Sequence, residues 1–338
     1  MKTNIAIVGL GPMGQRHYQA CLKLKSMRIF LCDLNREKIV NLKADKKYKK
    51  WKNLIADNKI DILIVASNGD THYEIMKFAI ENKVKKILCE KPLTNSAIKA
   101  NKLMTLANKN KTLIAVNYIR RWSNSYLRLK KLIDSDLLGK IRNIYFEMGG
   151  GQLASNGGHL FDLSRFLTSS EPKDIIAYID TKNTPHPRGG KFSDPGGYGI
   201  LQMMNNTRIF FDMSEDYGTP SLIKILCKYG TIIIDETTET WRIYCRNKKD
   251  KSLPLTNRPL LQKINFIGGG RINMVESSKN TLKNLLKAKN NKDLNCNLYD
   301  GYQSLMMAIG AHYSSTKDKK ILFPLKNKII LKKKFKFT

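Results

Sequence analysis

The sequence predicts an α/β protein with two domains, a doubly wound parallel sheet followed by an α+β domain with an open, mainly antiparallel sheet. In residues 1–119 short apolar segments alternate with helical segments, which is typical of a parallel sheet covered on both faces. In residues 120–338 several strand-like segments follow one another through short turns, which indicates antiparallel pairing. A chain of 338 residues is long enough for two domains of this size.

The chain begins with a buried strand, a glycine-rich turn and a helix. After the apolar residues 4–8 comes the motif Gly9-Leu10-Gly11-Pro12-Met13-Gly14. Gly9 allows a tight turn, Gly11 lets the backbone approach a pyrophosphate, and Gly14 lets the helix pack against the strand. Pro12 suits the first turn of that helix, where a missing N–H needs no partner. The helix N-terminus offers N–H groups and a positive dipole end to phosphates, so we expect this turn, including Met13, to contact a dinucleotide.

A second apolar strand, residues 27–32, leads to Asp33, which lies 19 residues after Gly14. This spacing is close to that of the carboxylate that binds a ribose in dinucleotide-binding folds. A glycine-rich turn alone also occurs without any ligand, but the strand before it, the helix after it and the acid in register favour a bound dinucleotide. Asp33 would repel a 2′-phosphate and so favours NAD, while Arg36 nearby leaves NADP open.

The rest of the first domain continues the alternation. We expect strands at residues 61–66, 85–89 and 112–116, and helices at residues 35–42, 71–82 and from a cap at 94 or 96 to about 109. Residues 46–58 are expected to form a basic connection with helical character. Ligands of such sheets bind beyond the carboxyl ends of the strands. This rule adds six residues to the expected cofactor site: Ser67, Asn68, His72, Glu90, Lys91 and Asn117.

The second domain is expected to start with a basic amphipathic helix at residues 123–135 and a strand at residues 141–148. A glycine-rich segment then leads to a helix at residues 158–167, and a Pro/Gly-rich loop occupies residues 184–197. Further strands are expected near residues 175–180, 199–204, 208–213, 222–227, 231–235 and 240–245, and helices near residues 273–289 and 299–315.

Basic residues outnumber acidic ones by 60 to 28, which gives a net charge of +32. Such a balance can indicate nucleic acid or an anionic membrane surface as a partner. The lysines are spread along the chain without a recognition-helix pattern, and no run reaches the roughly 18 apolar residues of a membrane span. We therefore expect neither nucleic acid nor a membrane as partner, and a positive field that helps to capture an anionic dinucleotide.

The six cysteines are scattered and include no C-x-x-C pair. Several lie in apolar runs, so buried free thiols in a reducing cytoplasm are favoured over disulfides or a metal site. The first three residues lead directly into the first strand, so we expect no signal peptide and a cytoplasmic protein.

The segment Glu90-Lys91-Pro92 follows a predicted strand on the side of the expected cofactor. A lysine there would hold a sugar hydroxyl and stabilise a developing alkoxide while a hydride leaves the same carbon. Glu90 would orient the lysine or bind ribose. An exposed turn without a catalytic role explains the same residues, and both interpretations stay open on these residues alone.

A second candidate segment runs from three glycines at 149–151 to His159 and Asp162. The glycines allow a ligand to approach the backbone closely, and His159 lies at the start of a helix. A histidine in that position can act as a general base because its pKa lies near neutrality; a purely structural histidine stays an alternative. Asp162, one turn later, is expected to contact His159 or the backbone. No Cys/His pattern indicates a metal site.

Together these features resemble the Gfo/Idh/MocA oxidoreductases, the family of glucose–fructose oxidoreductase and inositol dehydrogenase. The resemblance covers nearly the whole chain. The segments that carry it are Gly9-Leu10-Gly11-Pro12-Met13-Gly14, Cys89-Glu90-Lys91-Pro92-Leu93, Asn117, Leu138-Gly139-Lys140-Ile141, Gly157-Gly158-His159-Leu160-Phe161-Asp162 and Phe323-Pro324-Leu325.

The resemblance implies a Rossmann domain and an NAD(P)-dependent dehydrogenase that acts on a secondary alcohol of a sugar, polyol or nucleotide-sugar. Lys91 would hold the reacting hydroxyl, His159 would accept or return its proton, and Glu90 would lie near the nicotinamide. The open C-terminal sheet would pack against another subunit in a homodimer or homotetramer.

An anionic substrate is suggested by Arg120, Arg121 and Lys130, although a solvated helix face explains them equally well. The further candidates for substrate contact are Arg120, Ser155 and Asn156.

One position departs from the family pattern. Many members carry an aspartate four residues before the histidine, and here that residue is Ser155. Ser155 can hydrogen-bond a hydroxyl but holds no negative charge, so we expect His159 and Lys91 to carry the proton chemistry. Two rival functions remain: an enzyme of this fold that keeps NAD bound and oxidises its substrate only transiently, as some related glycosidases do, and a dinucleotide-binding protein without catalysis.

Overall fold

The computed structural model describes residues 2–181 and 186–337. The first sheet is built from β1 (Thr3–Val8), β2 (Met27–Cys32), β3 (Lys46–Tyr48), β4 (Ile62–Val65), β5 (Lys86–Cys89) and β6 (Leu113–Val116). All six strands are parallel, in the order β3-β2-β1-β4-β5-β6. This is the strand order of a doubly wound dinucleotide-binding fold, whose ligand crevice lies between β1 and β4. The predicted parallel sheet is confirmed.

Helices connect these strands and cover both faces of the sheet. They are α1 (Pro12–Leu22), α2 (Glu37–Val40), α3 (Trp51–Ala56), α4 (His72–Glu81) and α5 (Ala97–Asn110). The inner strands are apolar and β4 is buried at all four positions, as expected where helices cover both faces. The first helix begins at Pro12, as predicted, with Gly11 as its N-cap.

Residues 46–58, predicted as a helical connection, contain the edge strand β3 followed by α3. The prediction was wrong for β3, which pairs in parallel with β2 and places Lys46 opposite Phe30. An edge strand keeps its charged side chains in solvent and needs only backbone pairing. The sequence of β3 therefore shows no apolar run, and both of its lysines are exposed.

The second sheet has nine strands and is mainly antiparallel, as predicted. Its strands are β7 (Ile141–Glu147), β8 (Pro172–Ile179), β9 (Gly197–Met203), β10 (Arg208–Asp212), β11 (Leu222–Cys227), β12 (Gly230–Asp235), β13 (Thr240–Cys245), β14 (Gln262–Ile264) and β15 (Ile321–Leu322). Their order is β14-β13-β12-β11-β7-β10-β9-β8-β15. The pair β7–β10 is parallel and the other neighbours are antiparallel. The edge strands β14 and β15 are too short for periodicity to reveal, and the sequence did not predict them.

The remaining helices are α6 (Asn124–Asp134), α7 (Gly158–Thr168), α8 (Met274–Lys287), α9 (Leu298–Lys317) and α10 (Lys328–Lys332). Helix α9 packs along β8, at one end of the second sheet, and its Ser314 and Ser315 hydroxyls accept backbone N–H groups of β8 at 3.0 Å. The predicted Pro/Gly-rich loop begins in residues 182–185, which lie outside the described residues. From 186 to 196 the chain forms neither helix nor strand. Within the described ranges, no helix has both the length and the hydropathy that crossing a bilayer requires.

The two sheets are joined by helices of the second half that pack on the first. Helix α8 lies against α1, and α9 lies against α5 and β6. The backbone N–H of Val116, at the end of β6, donates to the carbonyl of Cys296 at 3.2 Å. Because of these contacts α7, which packs on α9, is held opposite the carboxyl ends of the first sheet.

A buried network of charges fixes α7 in this position. Asp162 on α7 is wholly buried and accepts a hydrogen bond from Arg121 Nε at 2.8 Å. Arg121 also lies 3.2 Å from Asp300 on α9, which in turn pairs with Arg165 of α7 at 2.7 Å. The expected contact of Asp162 with His159 or the backbone was wrong, because the carboxylate of Asp162 is directed to Arg121.

We expect Arg121→Met to lower the free energy of unfolding by about 3–5 kcal/mol, because the substitution leaves the Asp162 carboxylate buried without its cation. Arg28→Met is the matched control. Arg28 pairs with Asp45 at 3.4 Å on the surface, so its loss should cost roughly 0–1 kcal/mol. Urea denaturation followed by circular dichroism measures both values, and equal losses in the two variants would contradict the assigned role of the network.

Candidate active site

The glycine turn after β1 combines two tight contacts with one open position. A Cβ atom on Gly14 would lie 1.9 Å from the carbonyl oxygen of Gly9. A Cβ atom on Gly9, whose φ is +92°, would lie 2.7 Å from the backbone of Ala66 and Ser67. At Gly11, in contrast, a Cβ atom would meet no atom within 4 Å, and no side chain caps the helix that begins there. The turn is therefore packed against protein on one side and open beside the helix N-terminus, which fits a pyrophosphate.

Asp33 lies where β2 ends, and its carboxylate binds the glycine turn. One carboxylate oxygen accepts the N–H of Leu10 at 2.7 Å, and the other accepts the N–H of Asn35 at 2.9 Å. The side chain is partly exposed at the edge of the crevice. Its contact with a ribose stays a prediction, and its position beside the glycine turn is compatible with that contact. Ser67 and Asn68 lie on the adjacent turn, after β4.

His72 does not reach the crevice. Its side chain has no exposed surface, and its two ring nitrogens lie 3.0 Å from the carbonyl oxygens of Pro92 and Ser67. Burial lowers the pKa of His72, and the two carbonyls oppose that effect. We therefore correct the expected cofactor contact: His72 holds the turn after β4 against the Glu90-Lys91-Pro92 segment.

Glu90 is buried at the end of β5 and is held by two side chains. One of its oxygens lies 2.7 Å from His17 Nε2 and accepts a hydrogen bond from Asn117 Nδ2 at 2.6 Å. Burial alone would raise the pKa of Glu90, but the contacts with His17 and Asn117 and the charge of Lys91 lower it below its usual value. Glu90 is therefore a buried carboxylate whose position is set by α1 and by the end of β6.

Lys91, the next residue, is partly buried at the mouth of the crevice. Burial lowers the pKa of Lys91, and the charge of Arg188 adds to this effect, while Glu90 and Asp194 oppose it. These interactions are electrostatic rather than hydrogen bonds, which leaves the ammonium group able to bind a ligand. The alternative of an exposed turn is therefore wrong for Lys91, which is partly buried.

His159 lies at the start of α7, after a π-helical turn formed by Leu153–Gly157. Its ring packs edge-on against Tyr118 with centroids 5.5 Å apart. Burial and the charges of Lys91 and Arg120 hold the pKa of His159 well below its usual value. Its Nδ1 atom is buried and has no hydrogen-bond partner among the described residues. His159 is therefore a neutral imidazole at neutral pH, the form that accepts a proton.

The two arginines predicted near the rim are buried, and neither lies on a solvated helix face. Arg120 and Arg121 lie in a 3₁₀ turn, Ile119–Trp122, and are 8% and 7% exposed. Arg120 lines the cavity in front of His159 and pairs with Glu236 at 2.8 Å. Lys130, the third cation predicted there, pairs with Asp134 on its own helix instead. Arg120 therefore lines the cavity while its charge is paired with that of Glu236.

A cavity of about 530 Å³ lies in front of His159. Its wall includes Arg16 from α1, Asn156 beside His159, and the aromatic rings of Tyr126 and Trp241. Those two rings meet edge-on with centroids 5.0 Å apart. The cavity thus has charges of both signs on some sides and aromatic rings on another. Asn156 lies in its wall, and its contact with a substrate stays a prediction.

Ser155 is 2% exposed, and its backbone N–H donates to the carboxylate of Asp194 at 2.8 Å. Two of the glycines before it lie against protein: a Cβ atom on Gly149 would lie 2.2 Å from the carbonyl oxygen of Tyr217, and one on Gly151 would lie 2.9 Å from Glu215. At Gly150 a Cβ atom would meet no atom within 4 Å, so the close approach of a ligand stays a prediction for that glycine. No group of three or more potential ligand side chains suited to a metal occurs in residues 2–181 and 186–337.

Sequence reasoning missed three contributors to the site. His17 lies three residues after Gly14 on the buried face of α1, and no sequence motif connects it with Glu90. Trp241 and Asp194 come from distant segments, and no local pattern connects either of them with His159. Their positions depend on the pairing of the second sheet.

Known proteins share this architecture. Residues 3–118 match a family described as "Oxidoreductase family, NAD-binding Rossmann fold". The myo-inositol 2-dehydrogenase of Thermotoga maritima is 22% identical over 268 residues, 73% of this chain and 79% of that protein. The inositol 2-dehydrogenase/D-chiro-inositol 3-dehydrogenase of Lactiplantibacillus plantarum is 26% identical over 219 residues, 57% and 60% of the two chains.

Solved structures extend the likeness to both sheets. A levoglucosan dehydrogenase in complex with NADH and levoglucosan has a TM-score of 0.80 at 17% identity, over 96% of this chain and 100% of that chain. An NAD-binding oxidoreductase from Klebsiella pneumoniae has a TM-score of 0.79 at 17% identity, over 97% and 100%. At this identity the likeness concerns the fold. The family match and the open glycine turn identify NAD as the cofactor.

We expect Gly14→Ala to lower the stability of the protein and Gly11→Ala to lower its affinity for NAD. The Gly14 variant should lose about 3 kcal/mol of stability or more, because its methyl group meets the Gly9 carbonyl. The Gly11 variant should unfold like the parent protein but bind NAD at least tenfold more weakly, because the methyl group occupies the open side of the turn. Thermal unfolding and NAD titration measure the two effects, and unchanged NAD affinity in the Gly11 variant would contradict the assignment.

Proposed function

We propose that this chain, whose residues 3–118 match the NAD-binding Rossmann domain of an oxidoreductase family, is a Gfo/Idh/MocA oxidoreductase that oxidises or reduces one secondary alcohol of a sugar, polyol or nucleotide-sugar. The observation that carries this proposal is that Lys91 and His159 lie near enough for the charge of Lys91 to lower the pKa of His159. Lys91 comes from the first domain and His159 from the second, so the two groups meet only in the folded chain. Both have a lowered pKa, which is typical of groups at functional sites.

Bound NAD supplies the acceptor or donor of a hydride. Gly9 to Gly14 would hold its pyrophosphate, and Asp33 would hold a ribose, which favours NAD over NADP. Ser67, Asn68 and Glu90 line the same edge of the sheet, where β4 and β5 end. Asn117 acts through Glu90, whose carboxylate it binds at 2.6 Å.

Lys91 and His159 divide the proton chemistry between them. The Lys91 ammonium would donate a hydrogen bond to the reacting hydroxyl and stabilise the alkoxide as negative charge develops. The neutral imidazole of His159 would accept the hydroxyl proton, or return it when a ketone is reduced. The low pKa of His159 suits the first role, because the ring stays unprotonated until the pH falls below its usual pKa of 6.5.

The cavity favours a polar ligand with little net charge. Arg120 is already paired with Glu236, and the lining also includes Asp235, Glu239 and Arg271. Ion pairs of this kind offer donors and acceptors to hydroxyl groups, while Tyr126 and Trp241 offer an apolar wall to a ring face. A second cavity of about 640 Å³ shares the Trp241 wall and leads to Phe266, which stacks on Trp241 at 5.7 Å. A substrate with a second ring would place that ring there.

We expect Lys91→Met and His159→Asn each to lower kcat/KM by roughly 100- to 10,000-fold, because each removes a group that acts on the reacting hydroxyl. NAD affinity should change little in His159→Asn. Formation of NADH with a panel of sugars, polyols and nucleotide-sugars measures turnover, and Lys77→Met, on the exposed side of α4, is the control. Turnover that survives either active-site substitution would refute the proposal.

In the parent enzyme, alcohol oxidation should keep its rate between neutral pH and 6.5 and decline only below that.

We propose further that the chain forms a homodimer or homotetramer through the open face of the second sheet. Ile176 and Ile200 are partners on adjacent strands of this face, and both are over a third exposed. Beside them Tyr178 stacks on Tyr198 at 5.3 Å. Exposed apolar surface of this kind marks interfaces.

The six free thiols, five of them buried, support a reducing compartment such as the cytoplasm.

We expect Ile200→Glu to convert the oligomer to a monomer, because the substitution places a charge at the centre of the apolar face. Val40→Glu, an exposed apolar residue of the first domain, is the control and should leave the assembly unchanged. Sedimentation velocity measures the mass of each variant. A monomeric parent protein, or an Ile200 variant that still associates, would show that this face is not the interface.

A further inference from the structure

Arg120 and Glu236 form an ion pair in the wall of the cavity in front of His159. Nη2 of Arg120 donates to Oε1 of Glu236 at 2.8 Å, and Nε of Arg120 donates to the hydroxyl of Tyr126 at 3.3 Å. The Tyr126 hydroxyl in turn donates to the same Glu236 oxygen at 3.4 Å. The three side chains therefore form one closed hydrogen-bonded group, and all three line the cavity.

Neighbouring hydrogen bonds hold both partners of this pair in place. Arg120 lies in the 3₁₀ turn whose next residue, Arg121, donates to Asp162 at 2.8 Å. Glu236 follows β12, and its backbone N–H donates to the carbonyl oxygen of Ser221 at 2.9 Å. The guanidinium group and the carboxylate therefore come from two fixed segments that are more than a hundred residues apart in the chain.

Each partner keeps one polar atom for a ligand. In the described part of the chain, Nη1 of Arg120 and Oε2 of Glu236 make no hydrogen bond, and neither atom is fully buried. The pair therefore offers one donor and one acceptor. A hydroxyl group both donates and accepts, so two neighbouring hydroxyls of a sugar or polyol satisfy the pair, one at each atom. A carboxylate only accepts, and Glu236 would repel it.

We propose that Glu236 determines the specificity of this cavity: by cancelling the charge of Arg120, it selects a substrate whose reacting part carries neighbouring hydroxyl groups and no carboxylate. This inference rests on the proposed function, which places a sugar or polyol in the cavity. Arg120 is 8% exposed, so loss of the Glu236 charge would leave its guanidinium buried without an ion pair. A substrate carboxylate would then take over the charge-assisted hydrogen bond. Repulsion by Glu236 thus contributes to the selection.

The pair also allows a purely structural role, in which it only joins the 3₁₀ turn to the end of β12. Loss of either charge would then loosen the same wall of the cavity and change the affinities for neutral and acidic ligands alike. In the proposed role the two losses act in opposite directions. Glu236→Gln leaves an unpaired cation that attracts a carboxylate, whereas Arg120→Gln leaves an unpaired carboxylate that repels it.

The experiment compares ligands that differ in one carboxylate: methyl glucoside and methyl glucuronide, methyl galactoside and methyl galacturonide, and glucitol and gluconate. Calorimetric titration of the protein saturated with NADH gives both dissociation constants of a pair, because NADH cannot reduce an alcohol. Glu236→Gln should raise the affinity for the acid relative to the neutral ligand by roughly tenfold, since a charge-assisted hydrogen bond replaces repulsion. Arg120→Gln should lower the same ratio.

Glu171→Gln is the matched control. Glu171 pairs with Arg165 at 2.6 Å, Arg165 is 7% exposed, and neither residue lines the cavity. This variant loses a comparable ion pair, and its affinity ratio should stay at the parent value. Thermal unfolding measures the stability of all three variants. If Glu236→Gln does not fold, the decrease of the ratio in Arg120→Gln tests the proposal by itself.

Affinity ratios that stay constant in both variants, or that move in the same direction in both, would overturn the inference and leave a structural ion pair. Binding of the neutral ligands would still support the proposed function in that case. If ligands of neither kind bind to any of the proteins, the cavity is not a sugar or polyol site, and the proposed function fails together with the inference. Opposite shifts in a protein that forms no NADH would support the role of Glu236 and refute the proposed reaction.

Discussion

The close approach of β1 and α1 at Gly9 and Gly14 is the constraint on which the rest of the site depends. A side chain at Gly14 would meet the Gly9 carbonyl at 1.9 Å, so α1 can start directly beyond the end of β1 only because both residues lack one. The same helix then brings His17 to the Glu90 carboxylate and Arg16 to the wall of the substrate cavity. Its outer side packs against α8. The absence of side chains at Gly9 and Gly14 thus determines the geometry of the glycine turn, the contact of α1 with the Glu90 carboxylate and the packing of α1 against α8.

Buried charges around the crevice are compensated by specific partners. Glu90 is bound by His17 and Asn117, and Asp162 by Arg121. A buried charge without such a partner would cost several kcal/mol. His159 has no such ion pair, and its Nδ1 atom, like His17 Nδ1, Asn117 Oδ1 and Asp162 Oδ1, is buried without a hydrogen-bond partner within the described part of the chain. Local departures from polar satisfaction are typical of functional sites.

The sequence was informative wherever a structure depends on neighbouring residues. Periodicity and the glycine motif predicted the parallel sheet, the start of α1 at Pro12 and the antiparallel second sheet. The sequence was uninformative where the role of a residue depends on partners that are distant in the chain. Arg121 is buried beside Asp162, 41 residues away, and Asp194 accepts the N–H of Ser155, 39 residues earlier. His17 lay within a recognised motif, but its function depends on a carboxylate at the end of another strand.

Burial acts on Lys91 and His159 in the same direction, although the proposed chemistry needs them in opposite states. It disfavours the charged form of each, which suits a base that must be neutral and opposes a lysine that must be charged. Only cations act on His159, whereas Lys91 is influenced by the carboxylates of Glu90 and Asp194 as well as by the guanidinium group of Arg188. The net charge of +32 pushes both groups toward neutrality. Salt screens exposed lysines beyond about 8–10 Å but hardly affects buried neighbours. The buried neighbours therefore act on Lys91 and His159 more strongly than the surface charge does, and the surface charge mainly affects how fast anionic ligands arrive.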